Sequence, residues 1–146
     1  MPWSIRIPPP VAEQRHPRGL IDTSVVIDLE QIGADELPLE LAVSAITMAE
    51  LAAGPHATAD PAERARRQDR LQRAEATFEP LPMDADVARA YGRVYAAVAA
   101  SGRKARGRRA VDLFIAATAV AAGLPLYTRN PDDFVGLSDL VKIVTV

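Results

Sequence analysis

Four acidic residues stand at places where the sequence predicts that a strand ends or a helix begins. Asp22 ends the apolar run "GLID", and Asp133 follows the apolar run "LPLYT". Glu50 lies one turn into the helix expected after the second strand, and Asp112 opens the helix expected after a basic loop. Because sites in open α/β sheets form at the carboxyl ends of strands, we expect these side chains to face a common site.

The surroundings of two of these acids favour a metal centre. Asp112 is followed directly by "LFIA", and Glu50 stands between Ala49 and Leu51, so both are expected in largely buried segments, where an unpaired carboxylate is costly. Carboxylates gathered at one place repel one another, which raises their pKa values. Mg²⁺ and Mn²⁺ prefer carboxylate oxygens and relieve that repulsion. A cation held in this way could serve the hydrolysis of a phosphodiester bond.

Each acid also has a structural alternative that needs no ligand. Asp22 could cap the following helix by accepting a hydrogen bond from one of its first N–H groups. The sequence "TMAE" matches a capping box in which Thr47 caps a helix and Glu50 reaches back to it. Asp112 in a first helical turn would meet the positive end of the helix dipole, and "NPDD" is an ordinary turn sequence. Taken singly these roles are the more common ones, whereas the four acids together favour the metal centre.

The elements that would position the acids alternate between strand-length and helix-length patterns. Strands are predicted at "GLID", "LAVSAI", "FEPLP", "LPLYT" and "VKIVT". Helices are predicted at "SVVIDLEQ", "TMAELAAG", "DPAERARRQDRLQRAEATF", "DADVARAYGRVYAAVAAS" and "VDLFIAATAVAAG", with a short helix in "NPDDFVGL". This alternation is typical of an α/β fold with a mainly parallel sheet.

Composition and length narrow the class of protein. The 146 residues suffice for one domain with its own core. Residues 1–18, with three consecutive prolines, are predicted to be an extended leader, and residues 19–146 the folded domain. The lack of cysteine excludes disulfides and thiolate metal sites. No stretch has the length of a membrane span or the apolar region of a signal peptide, so a cytoplasmic location is expected.

A basic stretch lies just before Asp112 in the sequence. Half of the ten residues in "SGRKARGRRA" are basic, while the whole chain carries a net charge of only −2. Beside an acidic metal centre such a stretch would hold a phosphate backbone. The alternative is a solvated charged loop, which is what most runs of charge are. The predicted RNA-binding residues are Arg103, Lys104, Arg106, Arg108 and Arg109.

The stretches "LIDTSVVIDL", "SAITMAELAAG", "DLFIAATAVAAGLPLYTRNPDDF" and "VKIVTV" follow one another along the chain. Their order and separations resemble the motifs of PIN-domain ribonucleases, and most closely those of the VapC toxins of bacterial toxin–antitoxin pairs. The resemblance runs from about Gly19 to the end. It implies a PIN-like three-layer sandwich whose mainly parallel sheet of about four to five strands is flanked by helices. It also implies an endoribonuclease that depends on Mg²⁺ or Mn²⁺ and cleaves structured RNA such as tRNA or rRNA.

The resemblance further implies roles for individual side chains. Asp22 and Asp112 match the family's direct metal ligands, and Glu50 matches the acid that orients or deprotonates the attacking water. The polar positions that support these acids correspond to Thr23, Ser24 and Thr128. Many relatives carry a fourth aspartate where this chain has Asn130, and others carry it three residues later. We therefore assign the fourth acid to Asp133, with Asn130 as a neutral neighbour.

A toxin of this family implies partners. Its members are inhibited by a cognate VapB-type antitoxin and commonly form homodimers, for which the helical face of Tyr91 and Tyr95 is a candidate surface. One alternative function is a PIN-like module that binds RNA or protein without cutting. A phosphatase of the haloacid-dehalogenase type is disfavoured, because Ser24 stands where that class needs a second acid and no lysine precedes a suitable strand.

Overall fold

The structure, a computed structural model, describes residues 16–103 and 108–146 of the chain. Within those residues it contains four strands and five α-helices, joined by short 3₁₀ turns. Over the same residues, no helix combines the length and the apolar character that crossing a bilayer requires. The strands are β1 (Arg18–Ile21), β2 (Glu40–Ala42), β3 (Leu126–Thr128) and β4 (Ile143–Thr145). The helices are α1 (Thr23–Ile27), α2 (Ala45–Ala53), α3 (Pro61–Thr77), α4 (Ala85–Ala100) and α5 (Arg108–Ala122).

The four strands form one parallel sheet in the order β2-β1-β3-β4. The prediction of a mainly parallel sheet of four to five strands is thus confirmed. The segment "FEPLP" was wrongly predicted to be a strand, because only Leu81 pairs, in an isolated bridge with Ser44. Its neighbours Pro80 and Pro82 have no N–H group to donate, which prevents the pairing from extending.

Two hydrophobic clusters cover the two faces of the sheet. Successive side chains of a strand point to opposite faces, and the last two residues of β1 divide in this way. Leu20 belongs to the cluster formed with α4 and α5, whereas Ile21 belongs to the cluster formed with α1, α2 and α3. The helices therefore lie on both sides of the sheet, and the three-layer sandwich is confirmed.

Side chains set the starts of several helices. Asp60 and Asp84 cap α3 and α4 by accepting hydrogen bonds from backbone N–H groups of the first turn. Pro61 occupies the first position of α3, where its missing N–H group costs nothing. Helix α2 begins at Ala45, because Ser44 Oγ accepts a hydrogen bond from Thr47 N at 3.0 Å. The second strand is correspondingly shorter than predicted, and the assignment of the helix cap to Thr47 is wrong.

Gly19 in β1 lies against the ring of Tyr127. A methyl group at Gly19 would stand 2.6 Å from Tyr127 Cε1 and 3.0 Å from Pro38 Cγ, and Tyr127 is buried and cannot swing away. We expect Gly19→Ala to lower the free energy of unfolding by about 1–3 kcal/mol, measured by urea denaturation. Gly92→Ala is the control, since a methyl group there meets no atom within 4 Å and alanine favours a helix by about 0.5–1 kcal/mol. Equal losses in both variants would contradict the steric explanation.

Candidate functional site

A cleft of about 860 Å³ opens where β1 and β3 end. All four predicted acids line it, so the expectation that they face one site agrees with their positions. The cleft is formed by Asp22, Thr23, Ser24, Ile27, Asp28, Glu50, Asp112, Arg129, Asn130, Pro131, Asp132 and Asp133.

Asp22 is the most deeply buried of the four acids, with 5% of its surface exposed. Its Oδ1 accepts hydrogen bonds from Ser24 Oγ at 2.6 Å and from Val25 N at 3.1 Å. The hydroxyl of Thr128 also hydrogen-bonds to the Asp22 carboxylate. Asp22 therefore caps α1, as the structural alternative predicted, and its carboxylate also forms part of the cleft wall.

Burial raises the pKa of Asp22 above its ordinary value of 3.8. The hydrogen bonds from Ser24, Thr128 and the backbone act in the opposite direction, and burial outweighs them. The ionised carboxylate is thus less stable here than in water. A cation bound beside it would offset that cost.

Glu50 is tied to α1 rather than to the start of its own helix. Its Oε1 accepts a hydrogen bond from Thr23 Oγ1 at 2.6 Å, and Thr23 Oγ1 also lies 3.0 Å from Thr47 Oγ1. The predicted capping box between Thr47 and Glu50 does not form, because Ser44 caps the helix. The contact with Thr23 fixes Glu50 relative to Asp22, the residue next to Thr23.

Asp112 reaches the cleft from α5. Residues 108–111 already belong to this helix, so Asp112 stands beyond its first turn. The helix dipole would favour an acid most within that first turn. Its side chain is partly buried, while that of the next residue, Leu113, lies fully in the core. This alternation places the carboxylate of Asp112 at the edge of the core and in the wall of the cleft.

The 3₁₀ turn at residues 131–134 supplies the remaining acids. Thr128 Oγ1 accepts a hydrogen bond from Asn130 N at 2.9 Å, and Asn130 O accepts one from Asp133 N at 3.1 Å. Asp133 is partly buried and Asp132 is exposed, and both line the cleft together with Asn130. Two aspartates of this turn therefore line the cleft, and the assignment of the fourth acid to Asp133 stays a prediction.

The predicted RNA-binding residues are distributed between a loop and a helix. Arg103 Nη1 donates a hydrogen bond to the backbone oxygen of Asp132 at 2.9 Å, which places a cation next to the cleft. Arg108 and Arg109 belong to α5 rather than to a loop. Lys104 and Arg106 lie outside the described residues.

Two charged residues of the cleft, Arg129 and Asp28, were missed from sequence. Arg129 N donates a hydrogen bond to Ser24 Oγ at 3.1 Å, and its guanidinium Nη1 lies 3.5 Å from Asp28 Oδ2. The arginine thus adds a positive charge to a cleft wall that is otherwise rich in acids. Its place directly after β3, between Thr128 and Asn130, was the signal that could have identified it.

The donor set suits a hard divalent cation, although it is not a complete cage. Among the described residues, no three acidic or histidine side chains stand close enough to hold one ion by themselves. Mg²⁺ typically binds through one or two carboxylates and keeps several waters. The buried carboxylate of Asp22 and the carboxylate of Asp112 in the same cleft fit that smaller requirement.

A second cleft of about 480 Å³ lies between α1 and α3. Most of its charged side chains form ion pairs: Arg73 pairs with Glu30 and Asp69, Arg66 pairs with Glu63, and Asp28 pairs with Arg129. The pairs Asp69–Arg73 and Glu63–Arg67 on α3 have the i,i+4 spacing that stabilises an exposed helix. Since most of its charged side chains are already paired, this cleft is a weaker candidate for chemistry than the acidic one.

Comparison with known proteins agrees with this geometry. The PIN domain family matches residues 20–139. The chain is 38% identical over 128 residues to Ribonuclease VapC5 of Mycobacterium tuberculosis, covering 86% of this chain and 91% of the relative. It is 35% identical over 133 residues to Ribonuclease VapC4 of the same organism, covering 88% and 97%. The crystal structure of VapBC-5, a member of the VapBC family of toxin–antitoxin systems from M. tuberculosis, superposes with a TM-score of 0.78 at 39% identity, covering 89% of this chain and 99% of that one. The chain therefore belongs to the PIN-domain family and, within it, to the group of the VapC ribonucleases.

Proposed function

We propose that this protein is an endoribonuclease that depends on Mg²⁺ or Mn²⁺, cleaves structured RNA such as tRNA or rRNA, and acts as the toxin of a toxin–antitoxin pair. The observation that carries the proposal is that Glu50, Asp112 and Asp133 share one cleft with the buried carboxylate of Asp22, at the carboxyl edge of a parallel sheet. The names and family of the similar proteins support it, since they are ribonucleases of toxin–antitoxin systems.

The residues of the cleft would divide the work between binding and proton transfer. Asp22 and Asp112 would hold the cation, which when bound would supply Lewis-acid chemistry by neutralising phosphate charge and making water more acidic. Glu50, held by Thr23, would orient the attacking water and accept its proton. Asp133 would complete the acidic wall, with Asn130 beside it.

RNA would approach over the basic residues at the border of the cleft. Arg103 is fixed next to Asp132, and Arg109 lies at the start of the helix that carries Asp112. These side chains, with Lys104, Arg106 and Arg108 of the same stretch, would contact phosphates without reading the bases. Such contacts make binding weaker as the salt concentration rises.

The proposed partners are a cognate VapB-type antitoxin and a second copy of the chain. The solved relative VapBC-5 belongs to a toxin–antitoxin family, which supports the first of these. For the homodimer, Tyr95 on α4 is the better candidate for a dimer contact, because half of its surface is exposed. Tyr91 instead packs within the subunit, where its ring stacks on Phe114 with the ring centres 4.1 Å apart. We also propose that the protein acts in the cytoplasm, which contains the tRNA and rRNA proposed as its targets.

The test uses partner-free protein with a pool of tRNA and rRNA, in Mg²⁺, Mn²⁺ or EDTA. We expect cuts at discrete positions that need the metal, and a loss of more than about 100-fold in rate for Asp112→Asn, since even second-shell changes at metal sites cost 10–100-fold. Asp139→Asn is the matched control, because Asp139 is exposed and does not line the cleft.

Each other outcome of this test has a definite meaning. Intact RNA under every condition, from folded protein that binds Mn²⁺, would overturn the nuclease and favour a binding module. Cutting that survives both EDTA and Asp112→Asn would show that the activity comes from a contaminant or from another site.

A further inference from the structure

The hydroxyl of Thr47 is buried beneath the candidate site, where it contacts two other hydroxyls. Thr47 lies on α2 with none of its surface exposed. Its Oγ1 is 3.0 Å from Thr23 Oγ1 and 3.4 Å from Ser44 Oγ. Since Thr23 Oγ1 is 2.6 Å from Glu50 Oε1, the four side chains form one series of hydrogen bonds that ends at a carboxylate of the site.

The charged end of this series fixes the direction of its protons. A hydroxyl has a single proton to donate, and a hydrogen bond to a carboxylate is shorter and stronger than one between neutral groups. The proton of Thr23 therefore goes to Glu50, at 2.6 Å. Thr23 then accepts from Thr47, which is free to accept from Ser44. Bonds aligned in this way polarise one another.

Thr47 uses its hydroxyl differently from two other threonines in helices. Thr77 and Thr118 each donate to the backbone oxygen four residues earlier, at 2.7 Å and 2.9 Å, which is the ordinary contact of a helical threonine. Thr47 instead contacts side chains on α1 and at the cap of its own helix. Its hydroxyl thus joins α2 to the Thr23 hydroxyl of α1, which in turn contacts Glu50.

We propose that Thr47 is a positioning residue for RNA cleavage. Its hydroxyl holds Thr23 in the rotamer that directs a proton at Glu50, and so fixes the Glu50 carboxylate within the cleft. The inference rests on the proposed ribonuclease function. Small displacements of a reacting group are costly, since an error of about 1 Å can reduce a rate by about 10²-fold.

The first readout is the cleavage rate of three variants. Thr47→Val removes the hydroxyl and keeps a similar shape, and we expect kcat to fall about ten-fold with KM unchanged, because the group lost acts on orientation and not on RNA binding. Thr47→Ser keeps the hydroxyl, so its kcat should stay within about three-fold of that of the unmodified protein. Thr118→Val removes another buried threonine hydroxyl, whose bond stays within α5, and should leave kcat unchanged.

The second readout needs neither metal nor RNA. Three-bond couplings from the Thr23 methyl carbon to the backbone nitrogen and to the carbonyl carbon report the χ1 rotamer of Thr23 by NMR. We expect a single rotamer in the unmodified protein and in Thr47→Ser. In Thr47→Val we expect couplings averaged over several rotamers.

The two readouts separate this inference from the function on which it rests. Averaged Thr23 couplings in the unmodified protein would overturn the positioning role, even if Thr47→Val failed to fold. The positioning role would also be overturned if the Thr47→Val variant cleaved RNA as fast as the unmodified protein while its Thr23 still occupied one rotamer. A single rotamer in a protein that cleaves no RNA would overturn the ribonuclease function itself.

Discussion

Asp22→Asn is expected to give a protein that melts at a higher temperature and no longer cleaves RNA. Burial raises the pKa of Asp22, so the folded protein holds the proton of this group more tightly than the unfolded chain does. The contribution of Asp22 to the free energy of unfolding therefore falls as the pH rises. The fall begins near 3.8, the pKa of this group in the unfolded chain, and continues through its higher pKa in the folded protein. Asparagine removes the charge and keeps an oxygen that can accept from Ser24 and Val25.

The stability part of this prediction is measured by thermal unfolding without metal. At about pH 7 we expect a gain on the order of 1 kcal/mol, or about 2–4 °C in Tm for a domain of this size. The gain should vanish at about pH 3, where Asp22 is protonated in both states. A lower Tm at neutral pH would show that the cap of α1 needs a charged acceptor, contrary to this expectation.

The activity part is measured in the same assay as the metal dependence. The rate of RNA cleavage should fall by more than about 100-fold. Losing a residue that only hydrogen-bonds to a metal ligand already costs about 10–100-fold, and Asp22 is proposed to be a ligand itself. Asp139→Asn, the exposed control, should change neither the Tm nor the rate. Full activity in Asp22→Asn would show that another acid of the cleft, and not Asp22, is the metal ligand.

Leu113→Ala is expected to cost the most stability of the substitutions considered. Leu113 is fully buried in the cluster that packs α5 on the sheet, beside Leu20 and Leu126. Replacing a buried leucine by alanine removes about 3–4 kcal/mol through lost burial and a residual cavity. That is a large part of the roughly 5–15 kcal/mol that holds a domain together.

Leu39→Ala gives the matched comparison, because 57% of Leu39 is exposed. Its effect should stay within about 0.5 kcal/mol, and urea denaturation measures both variants on one scale. Since Leu113 follows Asp112 directly, the cavity should also loosen the placement of that carboxylate and reduce cleavage at temperatures where the variant is folded. A small loss in Leu113→Ala would mean that α5 shifts to fill the space.

The layers of the fold could be predicted because each depends on a local pattern. Alternating strand and helix lengths indicated the parallel sheet, and Asp22 could be assigned to the site because a strand end is visible in "GLID". The predicted start of α5 at Val111 was too late, because residues 108–110 are arginine and alanine, which favour a helix, and they belong to α5. The hydrogen bond between Thr23 and Glu50 could not be predicted either, since it depends on how α1 packs on α2.

The bond between Ser24 Oγ and Arg129 N joins residues 105 positions apart. It forms only when β3 has paired with β1, through Leu20 with Leu126 and Ile21 with Tyr127. Closing so long a loop is slow compared with forming a helix, and β3 is synthesised long after β1. A nascent chain that still lacks β3 therefore carries Asp22 and Glu50 without a complete cleft, and the cleft is finished only after β3 has been synthesised and has paired with β1.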